Sequence, residues 1–325
     1  MSELAERVLN GELRALSRVL TLLERGDPAA ADAMAQLDPH TGAGYAVGIT
    51  GPPGVGKSTL VDRLAEHLRG QGKTVGILAV DPTSPFTGGA LLGDRIRMQR
   101  HYLDDGVFIR SVATRGQSGG LPRIVKSMVR ALDAAGKDVT LVETVGVGQT
   151  ELGIMGVADT VVVAMTPESG DSIQTLKAGV MEIADLYVIN KADRDGANQL
   201  SAAVTAMLQM ADLGDGWNPP VLLTQAYANV GIGELWESVT AHREYMIDTG
   251  GLEKRRAERR RTEFLETVQE ELYRRITERL ADDAKLGELL RQIDGKAAEP
   301  YGAAMELLRN DGALRGNAPG DALTL

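Results

Sequence analysis

One eight-residue segment limits the architectures open to this chain more than any other feature: Gly51-Pro-Pro-Gly-Val-Gly56-Lys57-Ser58. It fits G-x-x-x-x-G-K-[ST], a loop whose glycines let successive backbone N–H groups turn inward around phosphate oxygens. The loop works between a buried strand and a helix, because the helix N-terminus adds the positive end of its dipole. The flanks supply both. An apolar run at 46–50 precedes the loop and a helical pattern at 57–70 follows it. Gly51, Pro52, Pro53, Gly54, Val55, Gly56, Lys57, Ser58 and Thr59 are therefore the candidate phosphate site. Lys57 is placed to reach the β- and γ-phosphates, Ser58 to ligate Mg²⁺, and Thr59 to touch the α-phosphate.

Strands and helices alternate around this loop. Short apolar runs at 74–80, 107–112, 139–143, 160–165, 186–190 and 221–224 read as strands. Helical patterns occupy 121–135, 196–211 and 232–245, and 89–102 reads as loop then helix. Such alternation predicts an α/β fold, a mostly parallel sheet flanked by helices on both faces. Aromatic residues are only 4% of the chain. A core of Ala, Val, Leu and Ile suits parallel strands and helices better than an all-β sandwich.

Helical extensions bracket this core. Leu9, Leu13, Leu16, Leu20 and Leu23 recur on one helix face, and Asp27-Pro28 starts a second short helix. A linker at 38–44 follows. Beyond 250 the strands stop. A charged helix at 252–280 carries Leu265, Val268, Leu272, Ile276 and Leu280, and shorter helices are predicted at 283–293 and after Pro300. The expected domains are an N-terminal helical arm at 1–44, a P-loop NTPase core at 45–248 and a C-terminal helical extension at 249–325.

Composition removes several function classes. With no Cys there is no disulfide framework, thiolate zinc site or cysteine nucleophile, and four His argue against a histidine metal cluster. The net charge of −10 argues against nucleic acid or an anionic membrane as main partner. Lys254-Arg-Arg and Arg259-Arg-Arg261 are the local exception. Glu253, Glu258, Glu263 and Glu266 interleave with them, so a solvated, salt-bridged face is expected. No run approaches the roughly 18 apolar residues of a membrane span, and the N-terminus has no targeting pattern. The expected location is the cytoplasm.

Further motifs specify the nucleotide. Asn190-Lys191-Ala192-Asp193 ends a late apolar strand, 133 residues after Lys57. N-K-x-D is a guanine signature, because the Asp carboxylate accepts from N1–H and the exocyclic amine, donors that adenine does not offer in that geometry. The strand at 139–143 runs through Glu143 into Gly146, a Walker-B-like strand entering D-x-x-G with Glu for Asp. Glu143 would hold Mg²⁺ through water, and the Gly146 N–H would sense the γ-phosphate. The position after Gly146 is Val147, with Gln149 further on, so the usual water-positioning Gln is missing, and slow intrinsic hydrolysis or a catalytic group supplied from elsewhere is expected. Asp81, at the carboxyl end of its strand, is the candidate for orienting the attacking water. Asp94 is a candidate Mg²⁺ ligand. Lys57, Asp81 and Glu143 form the candidate catalytic set.

Together the segments GPPGVGKST (51–59), DPTSPFTGGALLGDRIRM (81–98), RSVATRGQSGGL (110–121), LVETVGVGQTE (141–151), ESGDSIQTLK (168–177) and NKAD (190–193) resemble the MeaB-type GTPases. These are chaperones of methylmalonyl-CoA mutase, formerly labelled ArgK or amino-acid transport-system kinases. The resemblance covers nearly the whole chain. It implies a G domain of the signal-recognition and nitrogenase-iron-protein group. It also implies GTP/GDP and Mg²⁺ as ligands, slow hydrolysis, and a homodimer formed through the C-terminal helices. The implied partner is an adenosylcobalamin-dependent methylmalonyl-CoA mutase, whose cofactor loading is gated. Gln149, Asp171 and Lys177 become switch residues on the same ground. Such GTPases carry Ser-Ala after the last strand to meet guanine O6 through backbone N–H. Here Gln225, Ala226 and Tyr227 occupy that segment, with Gln replacing Ser. The older label keeps one alternative, a P-loop kinase linked to arginine or ornithine transport.

Overall fold

The computed structural model describes residues 2–81, 99–101, 103–113, 121–146, 153–168, 183–210, 216–282 and 284–310. Its centre is a seven-stranded sheet: β1 Tyr45–Thr50, β2 Val75–Asp81, β3 Val107–Ala113, β4 Val139–Glu143, β5 Thr160–Met165, β6 Leu186–Ile189 and β7 Val221–Leu223. The order is β3-β2-β4-β1-β5-β6-β7, and every pairing is parallel. The α/β fold expected from the alternation is the one observed.

Alternate residues of most strands feed two cores, as the two-residue side-chain period requires. Val161, Val163 and Met165 of β5 join one core, and Val162 and Ala164 join the other. The first core also takes α1 Glu3–Leu9, α2 Leu13–Arg25, α3 Pro28–Leu37, α5 Ile124–Ala134 and α6 Ala197–Met210. The second takes α4 Lys57–Gly70 and α7 Ile232–Asp248. Leu16, Val19, Leu20 and Leu22 of α2 are all buried. At about 1.5–3 kcal/mol per buried side chain, they outweigh the marginal stability of an isolated helix of that length.

The N-terminal leucine stripe is not one helix. Asn10 caps α1, and Gly11 has φ +80°, so the chain breaks before α2 begins. The segment expected as a linker at 38–44 opens with a 3₁₀ turn, Asp38–His40. Within 89–102, only 99–101 is described, as a 3₁₀ turn.

At the amino ends of the strands, a long helix docks through arginines. This is α8, Gly251–Asp282; α9 Ala284–Asp294 and α10 Pro300–Asn310 follow. Arg256 Nη2 lies 2.6 Å from Asp159 Oδ2, and Arg259 pairs with the other oxygen of that carboxylate. Arg255 Nη1 lies 3.0 Å from Asp185 Oδ2, and Arg260 Nη1 lies 2.7 Å from Asp38 Oδ2. Arg256 also donates to the carbonyls of Gly42 and Gly44, and Arg259 donates to that of Val157. The expectation of a solvated arginine face is therefore corrected for Arg255, Arg256 and Arg259, which are partly buried, whereas Arg260 is exposed and salt-bridged as expected. Spacing i, i+1, i+4, i+5 places the four arginines on one side of α8, where the buried Asp159 and Asp185 and the half-exposed Asp38 meet them. Asp159 is 2% exposed. Burial pushes its carboxyl pKa up, but the Arg256 hydrogen bond, the charges of Arg259 and Arg256 and the Ala46 N–H hold it below the usual range. Asp185 behaves alike: burial raises it, and bonds from His242 and Arg255 prevail.

The chain forms two compact units, Met1–Arg260 and Arg261–Leu325. In the second unit Phe264, Leu265, Val268, Leu272 and Tyr273 of α8 are exposed, as are Tyr301 and Met305 of α10. Among the described residues no helix is long and apolar enough to cross a membrane.

Candidate nucleotide site

Parallel pairing brings the carboxyl ends of β2, β4 and β1 side by side. Ile49 of β1 and Ala79 of β2 both align with Glu143 of β4. The loop after β1, Glu143 and Asp81 thus share one sheet edge, the edge where open α/β sheets bind ligands. Asp81 is buried there, two residues beyond Ala79.

The phosphate loop closes on its own lysine. Lys57 is 6% exposed, and its Nζ donates to the carbonyls of Gly51 at 2.8 Å and Pro52 at 3.0 Å. Gly56, at φ +94°, precedes α4 and offers no side chain to cap its first turn. The first amides of α4 therefore point toward the loop without a side-chain acceptor from that position, which suits an anion. Gly56 has a second reason to lack a side chain. A Cβ there would lie 2.5 Å from Asn190 Nδ2.

Ser58 Oγ donates to Glu143 Oε1 at 2.6 Å. A hydroxyl and a carboxylate converge beside the phosphate loop, and hard oxygen donors are what Mg²⁺ takes. Among the described residues no three His, Asp or Glu side chains gather into a cage. Mg²⁺ needs none, since it keeps several waters and shares substrate phosphates. The donor set fits the ion.

The exit of β4 is pressed against the same loop. Gly146 has φ +83°, and a Cβ there would lie 2.3 Å from both Gly51 O and Lys57 Nζ. Gly146→Ala is therefore expected to cut GTP turnover by about 10²-fold, the scale of a displacement near 1 Å in an active site. Single-turnover hydrolysis checks this, and wild-type turnover would show that the segment does not need its observed position.

Asn190 ties the guanine motif to the phosphate loop. Its Nδ2 donates to Val55 O at 2.8 Å. Its Oδ1 accepts from Thr224 Oγ1 and from the Ala226 N–H, each at 3.1 Å. Lys191 adopts φ +56° and its Nζ donates to Gly54 O at 2.9 Å. A cavity of about 200 Å³ opens between these pieces. Gly56, Thr59, Asn190, Lys191 and Asp193 line it, together with Gln225, Ala226, Tyr227 and Ala228. Gln225 N–H bonds to Val230 O at 3.0 Å and Arg63 donates to Tyr227 O at 3.3 Å, so the last loop is held from both sides.

The structure thus gathers the phosphate loop, Glu143, Gly146, Asn190, Lys191, Asp193, Gln225, Ala226 and Tyr227 around one crevice, with Asp81 on its edge. Asp94, Gln149, Asp171 and Lys177 lie outside the described residues. Ala228, Thr224 and Arg63 also shape the crevice and were not singled out from sequence. Thr224 and Ala228 could have been found by extending the last-strand motif by one residue on each side. Arg63 carries no local signal, because its partner is 164 residues away.

Comparison with known proteins agrees with this geometry. A profile for the family described as Methylmalonyl Co-A mutase-associated GTPase MeaB matches residues 16–281. A candidate GTPase of Pyrococcus abyssi is 46% identical over 314 residues, covering 95% of this chain and 96% of its own. GTPase ArgK of Escherichia coli is 35% identical over 262 residues, covering 78% of this chain and 79% of its own. The mitochondrial methylmalonic aciduria type A homolog of Mus musculus is 33% identical over 269 residues, covering 82% and 65%. The crystal structure of a LAO/AO transport system kinase superposes with TM-score 0.67 at 25% identity, covering 94% of this chain and 95% of its own. A phosphate loop bonded to an N-K-x-D strand, in a chain matched by that profile over most of its length, leads to one assignment: this protein belongs to the MeaB family of GTPases.

Proposed function

We propose that this GTPase serves an adenosylcobalamin-dependent methylmalonyl-CoA mutase as a nucleotide-driven chaperone, gating cofactor loading and protecting the enzyme. The observation that carries the partner is the profile match over 16–281, whose description names a mutase-associated GTPase. The relationship to the methylmalonic aciduria type A homolog points the same way.

In this reading the residues divide the work. The 51–59 segment holds the phosphates, with Lys57 turning from its loop carbonyls to the β- and γ-phosphates. Ser58 and Glu143, which meet in the structure, would hold Mg²⁺, with Asp94 as a further ligand. Bound there, Mg²⁺ would supply positive charge against the charge that develops on the phosphates. Gly146 N–H meets the γ-phosphate, and Asp81 orients the attacking water. Asp193 accepts from guanine, and the 225–227 loop covers the base edge. Gln149, Asp171 and Lys177 respond to the nucleotide state. Hydrolysis by the isolated protein is slow, because Val147 stands where a water-orienting Gln is usual. The 249–325 extension pairs with its copy in a homodimer, supported by the exposed apolar residues of α8 and α10. The protein works in the cytoplasm.

Asp193→Asn tests the base site. It should lower the preference for GTP over ATP by at least about tenfold, because an amide presents a donor where guanine also presents donors. Competition titrations measure the ratio, and an unchanged ratio removes Asp193 from base recognition.

The partner is tested by pull-down of methylmalonyl-CoA mutase with and without a non-hydrolysable GTP analogue. Capture that changes with the analogue supports the chaperone reading, and absence of capture overturns it. Similarity to a transport system kinase keeps a second reading, phosphoryl transfer to a protein acceptor. Label passing from GTP to a solute-binding protein would support that instead.

A further inference from the structure

The exit of β4 is fastened to the phosphate loop by a contact that neither the loop motif nor D-x-x-G calls for. Thr144 Oγ1 donates to Thr50 Oγ1 at 2.8 Å. The Thr144 N–H donates to Ile49 O at 3.1 Å. Thr50 is the last residue of β1 before Gly51, and Thr144 sits between Glu143 and Gly146. The two side chains are 0% and 2% exposed.

Two valines of nearly the same shape could fill this space without burying any hydroxyl. Packing alone therefore does not explain the pair. A hydrogen bond between two β-branched side chains, each stiff at χ1, adds a fixed offset between the backbones that carry them. That offset matters two residues later, where Gly146 meets Gly51 O and Lys57 Nζ with no room for a Cβ. Contacts so close leave Gly146 little freedom to shift along the loop.

We propose that Thr144 is a positioning residue for GTP hydrolysis: its hydroxyl, bonded to Thr50, holds the Gly146 N–H where it meets the γ-phosphate. This rests on the reading of Gly146 as the γ-phosphate contact. GDP has no γ-phosphate. The effect of losing the bond should therefore fall on GTP and on turnover, while a general weakening of the fold would affect both nucleotides.

The test uses the full chain as wild type, Thr144→Val, Thr144→Ser, Thr50→Val and the double valine variant. It measures kcat and KM for GTP, with the Kd of GDP and of guanosine imidotriphosphate. Thr144→Val should lower kcat about tenfold and narrow the imidotriphosphate-to-GDP affinity ratio, with the GDP Kd within about twofold of wild type. Thr144→Ser keeps the hydroxyl and should stay within about twofold of wild type in kcat. The double variant should be no slower than the slower single, because both remove one interaction. Wild-type kcat in Thr144→Val overturns the proposal. So does an equal loss of affinity for both nucleotides, or a serine variant as slow as the valine. If Thr144→Val does not fold, Thr50→Val removes the acceptor instead and must lower kcat likewise. Lys57→Ala is run alongside. Retained hydrolysis there overturns the site itself, whereas lost hydrolysis there with wild-type kcat in Thr144→Val overturns only the positioning role.

Discussion

Lys57→Ala is expected to reduce GTP hydrolysis by at least about 10³-fold and to weaken nucleotide binding. The buried ammonium is aimed into the phosphate loop and is held by the Gly51 and Pro52 carbonyls. A fixed positive charge in a site shielded from water acts on developing phosphate charge far more strongly than one in bulk solvent. Removing a single neutral donor from such a site typically costs about 10²–10³-fold, and a cation costs more. The fold should survive, because Lys57 lies at the start of α4 and the helix's apolar residues are untouched. Single-turnover hydrolysis and a fluorescent-nucleotide titration measure the two effects, with thermal melting as the control. A variant that keeps more than about a tenth of the wild-type rate would sink the catalytic role of Lys57.

The second large effect is on stability. Asp159→Ala should destabilise the first unit by about 3–5 kcal/mol, the scale for breaking a buried ion pair from one side. Arg256 and Arg259 would keep their charges without the carboxylate between them, and the Ala46 N–H would lose its acceptor. An exposed pair would cost about 1 kcal/mol or less, so the urea midpoint distinguishes the cases.

The same cluster sets an acid limit. Asp159 and Asp185 have pKa values below their unfolded ones, so the unfolded chain binds protons first. Their contribution is complete above the unfolded carboxylate pKa of about 3.9 and is lost as pH falls through the folded values. Stability should therefore drop below about pH 4, and Asp159→Ala should flatten that fall. An acid limb unchanged in the variant would remove Asp159 from it.

Local pattern carried most of the fold and the motif residues. Apolar runs of four to seven residues, most of them followed by turn chemistry and a helical period, have few outcomes besides a parallel sheet with helices on both faces. The strand at 139–143 and the strand at 160–165 appear with those bounds. Boundaries moved where one residue dominated, as at Gly11, whose left-handed backbone divides the N-terminal leucine stripe.

The arginines of α8 show the opposite limit. Their charge and their interleaved glutamates were visible in the sequence, and the reading of a solvated face followed from nearest neighbours. The actual partners, Asp159, Asp185 and Asp38, lie 70 to 222 residues away. No periodicity reports a carboxylate on another strand end.

The site divides the same way. By itself the sequence determined the phosphate loop, the guanine motif and the two strands they follow, because each depends on backbone conformations and side-chain chemistry within a few consecutive residues. Only the tertiary structure decided that Asn190 bonds Val55, that Ser58 meets Glu143, and that Thr144 meets Thr50. Those contacts depend on which strands lie side by side, and strand order is set by burial of the whole sheet between two helical layers.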